Sequence, residues 1–380
     1  MKNRIKQYLL AASMCVGLTA CSDFFEPIPG VQFGLDETFA SKQRTEEYLN
    51  NVYSYVREVT DAIHPNTYGG IFTEASLDGA NRWNKTYAEW TNGSFNSASA
   101  QASEYFSKYY QAIAKASTFI QNVDKCTEAA ASTRGKWKSE ARALRAYYYF
   151  ELLRLYGPIP LIGEDPIPLD ASLEELIKER NSVDECVNFI ATELQSAIDS
   201  GDLLQRAGKA NLGRMDVATC MALKAKLYLY WASPLFNGNT DFFNVKDCYG
   251  NQLVSQTYDE TKWAKAAAAA KDVIELAKAS GLYELYVVAP KATVLPSQRP
   301  PHNALYSDKN YPEGWADVDP LLSYKSNFDG TILGSKNPEL IFTRTRIGTG
   351  HINDWAYQST PKTLKGNNRL AVTQKQVDAY

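Results

Sequence analysis

From Trp137 to Leu155 the chain carries apolar side chains at nearly every angle around a helix. Trp137, Ala141, Leu144, Tyr148, Leu152 and Leu155 recur at steps of three and four, which sets them on one helical face. Tyr147, Tyr149 and Phe150 widen that stripe to most of the circumference. A helix apolar nearly all round is a buried helix, so the fold must wrap other elements about this segment. Gly157 and Pro158 end it, and the following "PIPLI" leaves as an extended segment. Three consecutive tyrosines have a second reading, as a platform on which a sugar or a base stacks. Their place on a continuous stripe favours core packing. Arg142, Arg145 and Arg154, with Glu140 and Glu151, are expected as partly buried pairs around that core.

Other amphipathic helices follow the same period. One carries Leu49, Val52, Val56 and Val59; a second carries Tyr105, Tyr109, Ile113, Ala116, Ile120 and Val123. A capping box, Ser182 with Glu185, opens a third containing Val183, Val187, Ile190, Leu194 and Ile198, with Gly201 at its end. Val217, Cys220, Leu223, Leu227 and Trp231 make another, stopped by Pro234. Trp263, Ala267, Ala270, Ile274 and Ala277 are expected to form the buried stripe of the last, which stops near Gly281. Small residues cluster where helices would cross: Ala141, Ala143 and Ala146, then Ala218, Ala222 and Ala225, then 266–270. The fold class is therefore mainly all-α, built from helix hairpins like tetratricopeptide units, although no strict repeat of about 34 residues is visible. Segments 60–100, 233–258 and 287–380 are loop-rich, and long irregular stretches in a compact protein are more often functional than accidental.

The N-terminus is a different object. "MKNRIKQYLLAASMCVGLTA" begins with Lys2, Arg4 and Lys6 and continues apolar from Tyr8 to Ala20. That is an export signal over 1–20, too short to span a bilayer. It ends "LTAC", which places Cys21 at a lipobox for cleavage and acylation, with 21–380 as a single mature domain. Several acyl chains would hold it stably, at about 0.8 kcal/mol per buried methylene. The formal net charge is -3 and no long basic run appears, so nothing favours nucleic acid or a polybasic membrane role. Cys126, Cys186, Cys220 and Cys248 form no C-x-x-C pair, so no metal knuckle is expected, and Cys186 and Cys220 read as buried apolar residues.

Competing chemistries find little support. His64, His302 and His351 stand in separate loops with no nucleophile motif beside them. No G-x-G-x-x-G or P-loop pattern occurs, so no cofactor is expected. "NGNTD" (237–241) begins like a calcium loop, but Phe242 and Cys248 stand where glycine and glutamate are needed. Paired carboxylates for glycoside hydrolysis have no fixed spacing and stay open as the rival from another class.

The candidate ligand surface lies in the loops. "DGANRWNKTYAEW" (78–90) holds Asp78, Asn81, Arg82, Trp83 and Trp90; "EGWADVDP" (313–320) holds Trp315; "GHINDWAYQ" (350–358) holds His351, Asp354 and Trp355. A sugar has apolar C–H faces and a rim of hydroxyls. It therefore fits an aromatic face beside Asp, Asn or Arg side chains. Each tryptophan has a plainer alternative, as a plug fastening its loop to the core.

Four further stretches carry a resemblance: "EARALRAYYYFELLRLYGPIPLI" (140–162), "GRMDVATCMALKAKLYLYWASPLFNG" (213–238), "TKWAKAAAAAKDVIE" (261–275) and "NPELIFTR" (337–344). In this order they resemble the successive hallmark segments of the SusD/RagB family, and "CSDFFEP" (21–27) is similar to its lipidated start. The resemblance implies a helical, tetratricopeptide-like fold and a non-enzymatic, glycan-binding lipoprotein of the outer cell surface. It implies a SusC-like TonB-dependent transporter as partner and oligosaccharide as ligand, with peptide in some members. Asp23 and Glu26 stand in the place of the acidic surface-export signal. "VTQKQVDAY" (372–380) resembles a segment that lies well before the family's usual end, so the family pattern is expected to continue past Tyr380.

Overall fold

The computed structural model describes residues 34–56, 79–81, 89, 93–165, 167–168, 171–290, 299–344, 360–366, 370–372 and 374–378, and these are mainly helical. In chain order the helices are α1 (Leu35–Ala40), α2 (Lys42–Tyr53), α3 (Ala100–Asn122), α4 (Ala131–Tyr156), α5 (Leu173–Leu176), α6 (Val183–Asp199), α7 (Val217–Ala232), α8 (Thr261–Ser280), α9 (Pro320–Ser326) and α10 (Gln374–Asp378). Two short strands, β1 (Gly79–Asn81) and β2 (Leu370–Val372), pair antiparallel. The capping box forms as expected: Glu185 N–H donates to Ser182 Oγ at 3.2 Å, and Ser182 N–H donates to Glu185 Oε2 at 2.7 Å. Asp216 caps α7 by accepting the Thr219 N–H at 2.7 Å. Gly157 (φ 68°) and Gly281 (φ 59°) stop α4 and α8 in the positive-φ region that favours glycine.

Each long helix packs on the next: α3 on α4, α4 on α6, α6 on α7 and α7 on α8, with α2 against α3 and α4. Helix α4 lies inside this stack, and Tyr148, Tyr149 and Phe150 are buried. The Tyr148 ring stacks on Tyr109 at 5.9 Å, and its hydroxyl donates to the Val52 carbonyl at 2.6 Å. Tyr149 donates to the Ile162 carbonyl at 2.8 Å and accepts the Ile162 N–H at 3.0 Å, which pins the extended segment after α4. Tyr147 is half-buried against Phe342, so "NPELIFTR" docks on the same helix. The tyrosine run is core. Cys126, Cys186 and Cys220 are buried and Cys248 is exposed; all four are free thiols, and burial pushes the Cys186 thiol up to about 11.

The ion pairs differ from the sequence expectation. Only Arg154 pairs as read, with Glu151 at 2.8 Å. Arg145 is fully buried and donates to Glu193 on α6 through Nε at 2.8 Å, while Arg142 reaches the same carboxylate at 2.9 Å. Glu140 is held by Arg214 at 2.8 Å and by the Tyr53 hydroxyl at 2.8 Å. Burial raises the Glu140 carboxyl above the usual range, and Arg214 and Tyr53 oppose that rise. Glu151 finds its counter-ion one turn away on α4, whereas Glu140 and Arg145 take their short-range counter-ions from segments that cover the helix.

The stripe expected on α8 is also corrected. Trp263 and Ile274 are 38% and 52% exposed, Ala267 and Ala270 are exposed, and the buried positions are Lys262, Ala266 and Ala269. An alanine run from Ala266 to Ala270 carries no phase of its own. The phase is set by Lys262, whose Nζ lies 4.6 Å from the Trp231 ring centre and 2.9 Å from Asp184, with its stem buried.

Candidate functional site

Of the expected site residues, Asn81 and Trp315 fall within the described structure. Cys21, Asp78, Arg82, Trp83, Trp90, His351, Asp354 and Trp355 lie outside the described residues. Asn81 ends β1 opposite Leu370 of β2, so the 79–81 backbone is tied to a segment almost three hundred residues later. This ladder joins two of the loop-rich regions singled out in the sequence.

Trp315 stands on a closed loop whose hydrogen bonds are mostly local. The Asn303 N–H donates to Ser307 Oγ at 2.7 Å, and the Ser307 N–H donates back to the Asn303 carbonyl at 2.8 Å. The Trp315 N–H donates to the Tyr306 carbonyl at 3.0 Å, and the Ala316 N–H to the Lys309 carbonyl at 2.8 Å. Gly314 is required at this crossing, because a Cβ there would collide with the Tyr306 and Lys309 carbonyl oxygens. Asp319 then starts α9: its Oδ1 accepts the Leu322 N–H at 2.9 Å, the Asp319 N–H donates to the Val288 carbonyl at 2.7 Å, and Pro320 takes the first helical position. Downstream, Asn327 donates to Glu339 at 3.0 Å and accepts from Asn337 at 2.8 Å, which joins α9 to the segment docked on α4. The lobe is thereby fixed to the helical stack.

Trp315 is half-buried in a cleft of about 80 Å³ lined also by Pro290, Arg299, Ser307, Ala316, Val318, Asp319 and Pro320. Its lining mixes apolar side chains with three unlike polar residues: one arginine, one serine and one aspartate. Such a lining binds a small neutral or mixed-polarity group and offers no nucleophile with a base beside it. His302, the described histidine of this lobe, is exposed and among the described residues pairs with Asp308, at 3.2 Å. Among the described residues no group of three or more His, Cys, Asp or Glu side chains is placed to hold a metal ion. Arg299, Ser307 and Asp319 were not among the expected site residues. The Asp-Pro pair at 319–320 signals a helix start, which would have placed Asp319 but not its neighbours.

Over residues 32–229, just over half of the chain, the sequence matches the SusD-like_3 family model, described as "Starch-binding associating with outer membrane". A SusD-like protein of Bacteroides ovatus is 29% identical over 158 residues, covering 40% of this chain and 27% of that protein. The solved structure of BT4246 is similar with a TM-score of 0.58 at 30% identity, covering 66% of this chain and 42% of that one. Its selenomethionine form gives a TM-score of 0.50 at 29% identity over 64% and 40% of the two chains. The chain therefore spans less than half the length of these relatives.

Proposed function

This chain belongs to the SusD-like family, and on that premise we propose that it is a glycan-binding lipoprotein of the outer membrane that captures oligosaccharide and passes it to a TonB-dependent transporter. The family match carries this reading, because it spans the helical scaffold from α1 into α7 and bears a description of starch binding and outer-membrane association. The lobe built on that scaffold adds Trp315 at a cleft whose polar groups sit beside an aromatic ring, the arrangement that sugar faces and hydroxyls require. Anchoring through Cys21 fits the leader and lipobox, and among the described residues no helix is long and apolar enough to cross a membrane. The mature chain from Cys21 acts as one domain.

Calorimetry of the full chain against a panel of neutral, acidic and N-acetylated oligosaccharides and of short peptides tests the reading. Binding of at least one oligosaccharide is expected at micromolar to millimolar Kd, roughly 4–8 kcal/mol, with no new reducing ends after overnight incubation. Peptide binding alone, or the release of reducing ends, would refute it.

A further inference from the structure

The cleft beside Trp315 is far smaller than an ordinary ligand pocket of roughly 300–1,000 Å³. At about 80 Å³ it admits one substituent of a sugar and leaves the ring outside against the indole. Its polar groups are unlike each other. Arg299 is exposed and offers only donors, and among the described residues it makes no hydrogen bond or ion pair, so its head group is open to a ligand. Asp319 is 5% exposed; its Oδ1 accepts the Leu322 N–H at 2.9 Å, and among the described residues its other oxygen receives nothing. The Ser307 oxygen already accepts the Asn303 N–H. The remaining lining, from Pro290, Val318 and Pro320, is apolar.

A group that satisfies this cleft must present an acceptor to Arg299, a donor to the open oxygen of Asp319, and an apolar part to the proline and valine walls. A hydroxyl lacks the apolar part. A carboxylate or sulfate would meet Arg299 but would set a like charge beside Asp319, which is unfavourable. A secondary amide ending in a methyl group has all three. We propose that this cleft is a subsite for the acetamido group of an N-acetylated sugar, so that the glycan captured contains 2-acetamido hexoses. The proposal rests on the glycan-binding reading above and specifies the sugar that reading leaves open. A peptide amide would bring the same donor and acceptor, but neither a terminal methyl nor a sugar face for Trp315.

The test uses the full chain with four probes: the β-1,4 tetramer of N-acetylglucosamine, cellotetraose (a hydroxyl in place of each acetamido group), maltotetraose and an N-acetylated tripeptide. The acetylated tetramer is expected to bind at least tenfold more tightly than cellotetraose by calorimetry. Its acetyl methyl protons are expected to receive the strongest saturation transfer from the protein. Asp319→Asn keeps an oxygen for the Leu322 N–H and turns the open acceptor into a donor; Arg299→Met removes the guanidinium and keeps the length. Both variants are expected to lose the preference at unchanged Tm. Equal or tighter binding of cellotetraose or maltotetraose would overturn the acetamido assignment while leaving glycan capture intact. So would a preference that survives both substitutions. Binding of the tripeptide alone, or of no probe, would overturn it too, and the panel described above then decides whether glycan capture stands.

Discussion

Arg145 has no exposed surface, yet it carries a full charge, and two donors of its guanidinium converge on one oxygen of Glu193. A third donor reaches Ser117 at 3.1 Å, so the head group bridges α3, α4 and α6. Removing one partner of such a pair leaves an uncompensated buried charge, which costs about 3–5 kcal/mol. Glu193→Gln is therefore expected to lower the unfolding free energy from urea titration by that much, through a lower midpoint at little-changed slope. Tyr148 supplies a different kind of restraint, since its ring fills core volume and its hydroxyl satisfies the Val52 carbonyl at the end of α2. Tyr148→Ala should open a cavity and cost about 3–5 kcal/mol, the range for large aromatic truncations. Thermal unfolding would check this, and an unchanged Tm would return the tyrosine run to the surface.

At the scale of elements, α8 shows how weakly an alanine-rich helix chooses its face. Ala269 points into α7 while Ala270, one residue on, points outward. Ala269→Asp is expected to destabilise the chain by about 2 kcal/mol or more, because it buries a charge without a partner. Ala270→Asp should stay within about 0.5 kcal/mol of the parent, the usual range for a surface change. A reversed order in paired thermal melts would restore the stripe first read from Trp263 to Ala277. The Trp315 loop is an element of another kind, held by its own backbone and by Gly314 rather than by a period. Trp315→Ala should weaken glycan binding roughly tenfold or more, since ring stacking adds about 0.5–1.5 kcal/mol beyond burial. Its effect on Tm should be slight, in contrast to Tyr148→Ala, and calorimetry beside a thermal melt separates the two.

Across the whole molecule the work divides between a stack of helices that carries the core and irregular segments fastened to it at a few points. Phe342 packs on Tyr147 of α4, while β1–β2 and the bond from the Asp319 N–H to Val288 tie the irregular segments to one another. This division suits the proposed binding role, because a rigid base leaves the loops free to diversify without loss of fold. The proposed lipid anchor is tested at the same scale. Cys21→Ala should release the protein from the membrane fraction after cell fractionation in high salt; continued sedimentation with membranes would rule out the lipid anchor. The full chain, extracted from membranes in mild detergent, is expected to co-purify with the proposed barrel transporter over a contact on the order of 1,000 Å² or more. Recovery as a lone monomer across several detergents would argue against that partner.

The helices were legible from the sequence because their signals are local. Steps of three and four, the Ser182–Glu185 box, Gly157 and Gly281 each act within one or two turns, and α3, α4, α6 and α7 form where these signals put them. Burial of the tyrosine run was legible for the same reason, since a face nearly all apolar leaves a helix no side for water. What depends on a second element was decided only by the tertiary structure. The counter-ion of Arg145 lies 48 residues away on α6. The phase of α8 is fixed by Trp231 and Asp184, which cover Lys262. The Trp315 cleft brings Pro290, Arg299 and Asp319 together from an irregular stretch that has no period to read. Local patterns select helices because helical hydrogen bonds close within four residues, whereas a site assembled from loops exists only after long-range packing has placed them.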